Sequence, residues 1–447
     1  MSILDAFEPI YKLLPEVKGP EVKPTLKRRL IWSALALLLF FIMGNITVYG
    51  INVAASAGGQ LQAIELILAS KIGSLITVGI GPIVLASIIL QMLVGGKIIN
   101  IDLSNPKDRA RFTSMQKLFG IVLCFFEAIV YTVGGFLVPN SGMLVPVVLQ
   151  IAFGAIILIY LDEVASKYGI GSGIGLFIAG GVAGAIGWRI FSPYGLLLVI
   201  VGGIAKGALL NAFIASLPII FVIIIFLVVV FAEGMHVNIP ITVGRSGATS
   251  RFPVKFLYVS NLPVILAVAL YANLQMWAIV AGKTPILGTI MSYVSYAVTI
   301  PRVGNTSLIE ALFQPGLFGL ALPEVLHAVV YLAVFVVVCV IFGKFWVEMA
   351  GQGPGAVSEQ LEKAGMSIPG FRKDPRIIRQ ILDRYIPPIT ILGSAFVALL
   401  AGVADLTGAL GSGTGILLTV GIVYRLYEEL AREQLMEMHP LLGRLFK

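Results

Sequence analysis

The chain has 447 residues, of which 58% are hydrophobic and only 12% charged, with a formal net charge of +8 and a mean hydropathy of +0.98. A soluble domain carries roughly twice that share of charge, so the composition excludes one, and the apolar runs lack the alternation of a membrane barrel. A polytopic helical membrane protein remains, because backbone groups in lipid need internal hydrogen-bond partners.

In chain order, residues 1–29 are polar, proline-punctuated and basic, and read as a cytoplasmic N-terminal segment. They precede a full-length apolar run with no small-residue cleavage pattern, so the first span is expected to direct insertion. Runs of roughly 17 to 25 apolar residues cross a bilayer as helices. They predict ten spans, near 30–49, 75–95, 118–138, 143–161, 170–191, 214–233, 257–281, 322–347, 386–404 and 408–424. Two further stretches, "LQAIELILAS" (61–70) and "GLLLVIVGGIA" (195–205), are too short to span.

Charge supports this count. Of the 31 Lys and Arg, only Lys71, Arg189, Lys206, Lys283 and Arg302 fall in the outer segments. Positive residues mark the cytoplasmic side, which places both termini there, including the tail 425–447. The long outer segment 192–213 divides the chain into an N-terminal half, 30–191, and a C-terminal half, 214–424. Five spans in each give opposite insertion senses, which permits an inverted repeat. No residue-level similarity between the halves is evident.

Several chemistries lack their residues. The only GKT, at 282–284, has Trp277 where a P-loop needs glycine. The three histidines, His236, His327 and His439, are far apart in sequence, and there is no HExxH for zinc. Cys124 and Cys339 sit inside apolar runs and read as small buried hydrophobes. "GIGSGIGLF" (169–177) opens an apolar helix with no preceding strand, so close helix packing replaces dinucleotide binding. The clear mid-span carboxylate is Glu127, which can relay protons or hydrogen-bond across a helix interface. Asp405 lies near an outer end. No catalytic residue, metal site or cofactor is expected.

What stands out instead are glycine- and proline-broken helix starts followed by large aliphatic residues. "ITVGIGPIVLASIILQ" (76–91) presents Ile80 and Val84, and "GIGSGIGLFIAGG" presents Ile174 and Ile178. Residues four apart share a helix face. "YVSNLPVILAVALYANLQ" brings in Ile265, and "GALGSGTGILLTV" brings in Leu418. If these positions converge they form an aliphatic collar, which can exclude water by dewetting without offering a sliding chain a strong binding site. Taken singly, each is also compatible with ordinary helix packing.

"KIGSLITVGIGPIVLASIILQMLVGG", "IAFGAIILIYLDEVASKYGIGSGIGLFIAGG", "FPVKFLYVSNLPVIL", "GFRKDPRIIRQILDRYIPPIT" and "GALGSGTGILLTVGIVYRLYEELARE" together resemble the SecY/Sec translocon α-subunit family, its archaeal-type branch most closely. The resemblance runs in order from about 22 to 440. It implies an all-α polytopic membrane protein, ten transmembrane helices in two inverted five-helix halves around a central hourglass pore. It implies a pore ring of Ile80, Val84, Ile174, Ile178, Ile265 and Leu418, closed by a plug helix at about 61–72 with Leu61, Ile64, Glu65, Leu68 and Lys71.

The same resemblance implies a lateral gate bearing Gln91, Glu127 and Asn273, with Leu85 where the family often has a hydroxyl. Its basic loops, with Arg245, Arg251, Lys255, Arg372 and Lys373, imply ribosome docking, for which RNA phosphates give an electrostatic reason; the positive-inside rule alone also accounts for them. The implied partners are SecE/γ-type and Sec β-type subunits, the ribosome with its rRNA and proteins, signal sequences, nascent polypeptides and membrane lipid. The implied location is the cytoplasmic membrane. A secondary transporter with broken helices and inverted repeats is the competing class; proton- or sodium-dependent solute uptake would favour it.

Overall fold

The computed structural model describes residues 14–22, 24–52, 70–95, 98–99, 101, 106–243, 248–259, 261–281, 285–304, 306–314, 316–363, 366–367, 375–410 and 413–438. Each of the ten predicted spans falls on a helix: α1 (Leu26–Asn45), α2 (Gly81–Gly95), α3 (Pro106–Val133), α4 (Leu144–Tyr168), α5 (Gly173–Phe191), α7 (Leu209–Gly234), α8 (Leu262–Ala281), α11 (Phe318–Met349), α13 (Pro375–Leu406) and α14 (Gly413–Met438). Between α5 and α7 lies the ten-residue α6 (Leu196–Ala205), with no buried residue. At about 1.5 Å per residue it is too short to cross a bilayer alone. Among the described residues, six helical stretches are long and apolar enough to span by length and composition.

Contacts divide the chain inside α5 and α14. One unit comprises 1–184 with 422–447, the other 185–421. In the first, Val48, Val78, Ile83, Cys124, Ala128, Leu137, Val147 and Ile151 belong to one core. Buried Arg29 on α1 donates from Nε to the Gly169 carbonyl at 2.8 Å and pairs through Nη2 with Glu429 of α14 at 2.8 Å. Ser33, one turn on, accepts the Ile170 N–H at 2.9 Å. The loop before α5 is thus clamped by α1, and Phe40 stacks on Phe177 just beyond it.

The second unit packs α7, α8, α11, α13 and the first turns of α14 around a core that includes Val229, Ala267, Tyr331, Phe335, Cys339, Ala401 and Leu417. Both cysteines are free and fully buried, as small hydrophobes. Strands β1 (His236–Val243) and β2 (Ala248–Lys255) form an antiparallel hairpin with His236 opposite Lys255. The short helix α9 (Pro285–Val298) precedes a two-residue ladder of β3 (Arg302–Val303) and β4 (Thr306–Ser307), and the short helices α10 (Leu308–Phe313) and α12 (Pro354–Lys363) follow it. After α12, β5 (Met366–Ser367) adds to the free edge of β1, pairing Thr242 with Ser367 and Val243 with Met366. Ile239 and Val254 press the hairpin onto Trp346, Leu382 and Ile386.

Candidate functional site

The glycine-rich start predicted to belong to the span 75–95 is not helical. Residues 70–80 form a turn-rich, largely buried segment, and the helix begins only at Gly81. The expected plug helix, 61–72, ends in this segment: residues 70–72 are not helical, while Leu61, Ile64, Glu65 and Leu68 lie outside the described residues. Gly73 and Gly79 take φ of +84° and +62°, which a side chain resists. The irregular backbone satisfies itself elsewhere, as it must in lipid. Val48 N–H donates to Gly73 O at 2.9 Å and Leu75 N–H to Ile46 O at 3.0 Å. The hydroxyl of fully buried Thr77 donates to Ser74 O at 2.5 Å. Lys71 is exposed and donates to Asn45 Oδ1 at 3.1 Å.

The segment delivers Ile80, fully buried, to the head of α2. Its carbonyl accepts from the N–H groups of Ile83 and Val84, each at 3.1 Å, so Ile80 and Val84 stand one turn apart on one face. Pro82 sits in the first helical turn, where a missing N–H leaves no bond unmade. On α5, Ile174 packs against the core that holds Val78 and Ile83, and Ile178 is buried one turn further along. The first unit therefore gathers the residues on either side of Ile80 and the first turn of α5 into one apolar cluster.

In the second unit, Ile265 stands in the first turn of α8 and Leu418 is buried on α14. Buried Asn261 joins them. Its Nδ2 donates to Leu417 O at 3.0 Å, while its own carbonyl accepts from Ile265 N–H at 3.2 Å. A Cβ on Gly421 would fall 2.7 Å from that Nδ2, so this crossing requires glycine. The sequence marks Asn261 only as standing just before Ile265 and gives it no tethering role, although a lone asparagine before Leu-Pro at a helix start is the visible sign of such a tether.

Of the gate residues, Leu85 is exposed on α2, and Gln91 donates to Ser87 Oγ at 3.0 Å within the same helix. Glu127 is half-buried on α3, one turn from Cys124, and Asn273 lies on α8. Arg251 and Lys255 lie on β2. Arg245, Arg372 and Lys373 lie outside the described residues. Among the described residues no group of three or more His, Cys, Asp or Glu could hold a metal.

Buried irregular backbone feeding aliphatic helix starts, in a chain of long apolar helices, defines a multi-pass helical membrane protein with broken spans. A family model for SecY matches residues 74–427. The protein translocase subunit SecY of Methanococcus vannielii is 46% identical over 450 residues, covering 98% of each chain. Two solved structures are also similar. One, described as the structure of a protein conducting channel, has a TM-score of 0.78 at 44% identity and covers 97% of this chain and 98% of that one. The other, Sec61 in a canine ribosome-channel complex from the endoplasmic reticulum, has a TM-score of 0.76 at 43% identity with the same coverage. The chain belongs to the SecY family.

Proposed function

We infer that this chain is the channel-forming subunit of a protein-conducting Sec translocon, passing secretory polypeptides across the membrane and releasing hydrophobic segments sideways through a lateral gate. It performs no chemical step; elongation of the cargo or a partner drives movement. Membership of the SecY family over nearly the full chain carries this reading. The ring would comprise Ile80, Val84, Ile174, Ile178, Ile265 and Leu418, with 61–72 as plug and 192–213 as the external segment between two five-helix halves. Leu85, Gln91, Glu127 and Asn273 would tune the gate. Both termini would be cytoplasmic, and SecE/γ-type and Sec β-type subunits would accompany the chain.

A stalled nascent chain should crosslink to a photoreactive group at position 174. Crosslinking confined to lipid and neighbouring subunits would remove the assignment.

Docking of a ribosome would use the basic loops, since rRNA phosphates attract Lys and Arg. Arg372→Ala should weaken ribosome binding by roughly tenfold, a loss typical of one buried charge contact, while Lys363→Ala at the end of α12 leaves it unchanged. Equal affinities for the two variants would withdraw Arg372 from the surface.

A further inference from the structure

The chain repeats a short sequence, GSGIG at 171–175 and GSGTG at 411–415. Each occurrence opens a helix at its third residue, α5 at Gly173 and α14 at Gly413. Three residues past each motif stands a ring position, Ile178 in one and Leu418 in the other. This is the residue-level likeness between the halves that sequence reading did not find.

The likeness extends to how the helices are held. Asp162, on α4, accepts the Ile174 N–H on Oδ1 at 2.7 Å. Ser166 donates to the same oxygen at 3.4 Å and accepts the Gly173 N–H at 3.2 Å. In the other unit Asp405, at the end of α13, accepts the Gly413 N–H on Oδ1 at 2.6 Å, and the Tyr331 hydroxyl bonds the same carboxylate. Both glycines lie against the helix that supplies the aspartate. A Cβ on Gly173 would come within 2.6 Å of the Asp162 Cα, and one on Gly413 would run into the Ala401 carbonyl.

The first N–H groups of a helix lack intrahelical acceptors, and a carboxylate there also favours the positive end of the dipole. A cap from within the same short segment fixes only the start of its helix. A cap from the preceding helix also fixes the height and rotation of the first turn against that neighbour. Short bonds to a carboxylate are the strong kind, and the glycine contact removes the slack that would let the turn slide.

We propose that Asp162 and Asp405 are a matched pair of positioning residues, one in each half, that lock the first turns of α5 and α14 and so hold Ile174, Ile178 and Leu418 in the resting seal. This rests on the ring reading above, and the variants separate the two ideas. In membrane vesicles holding the full chain, Asp162→Glu and Asp405→Glu each displace the acceptor by one methylene. Each should raise resting ion flux per channel about tenfold, as loss of one charge-assisted hydrogen bond implies. Asp→Ser at either position shortens the reach and carries the same expectation should the Glu variant fail to reach the membrane. Asp→Asn keeps an acceptor in place and should restore the seal to within about twofold of the parent.

A purely structural role would lower the amount of folded protein without changing flux per channel. Tight channels in the Glu and Ser variants, beside leaking Ile174→Gly channels, would overturn the positioning role and spare the ring. A leak at only one of the two aspartates would overturn the pairing. Tight Ile174→Gly channels would overturn the ring and this inference with it.

Discussion

Channels carrying Ile80→Gly together with Ile174→Gly should conduct ions at rest and accept cargo with defective signal sequences. Ile80 is fully buried, and Ile174 packs against the core cluster that holds Val78 and Ile83, two residues before Ile80 and three after it. Removing a buried aliphatic side chain typically costs about 2–5 kcal/mol, part of it for the cavity left behind. In a constriction that excludes water by dewetting, such a cavity is the path water takes. Resting flux should rise by about tenfold or more, since ~1.4 kcal/mol already shifts a closed-to-open balance tenfold. Ile80→Val with Ile174→Val removes one methylene from each side chain and should stay tight. Single-channel recording with a reporter lacking a functional signal reads both effects. A double glycine variant as tight as the parent refutes the collar.

Gly154→Ala should be the most disruptive single methyl added to α4. Its Cβ would come within 2.8 Å of the Leu75 carbonyl carbon, and nearer still to the oxygen. Backbone cannot swing aside as a side chain does, and Leu75 is itself held by its bond to Ile46. Overpacking of this kind costs typically 1–3 kcal/mol, here by lifting residues 74–76 off α4 and with them the approach to Ile80. A lower midpoint of thermal unfolding in detergent, with a resting leak, is expected. Gly187→Ala on α5 meets nothing within 4 Å and should leave both unchanged. If Gly154→Ala melts with the parent, the close contact does not govern this segment.

Much of this was legible in the apolar runs, because length and hydropathy fix where a helix can meet lipid. Helix ends were less so. α13 begins at Pro375, well before its apolar run at 386, and α14 continues to Met438, past 424, since a helix need not stop where its hydrophobic face does. The span expected from 75 starts instead at Gly81, because positive φ at Gly73 and Gly79 turns the chain before it. The GSG motifs were visible as glycine clusters but not as a pair. Their aspartates stand at different distances, twelve residues before Ile174 and eight before Gly413, so no single spacing pattern captures both. Arg29 and Glu429 meet across 400 residues, a pairing only the folded chain reveals.

The two-residue strand β5 joins segments far apart in sequence. β1 runs directly into residues 244–247, and β5 into 368–374, the stretches that hold Arg245, Arg372 and Lys373. β5 is held to β1 at Thr242 and Val243, so strain placed on either strand is shared by the other.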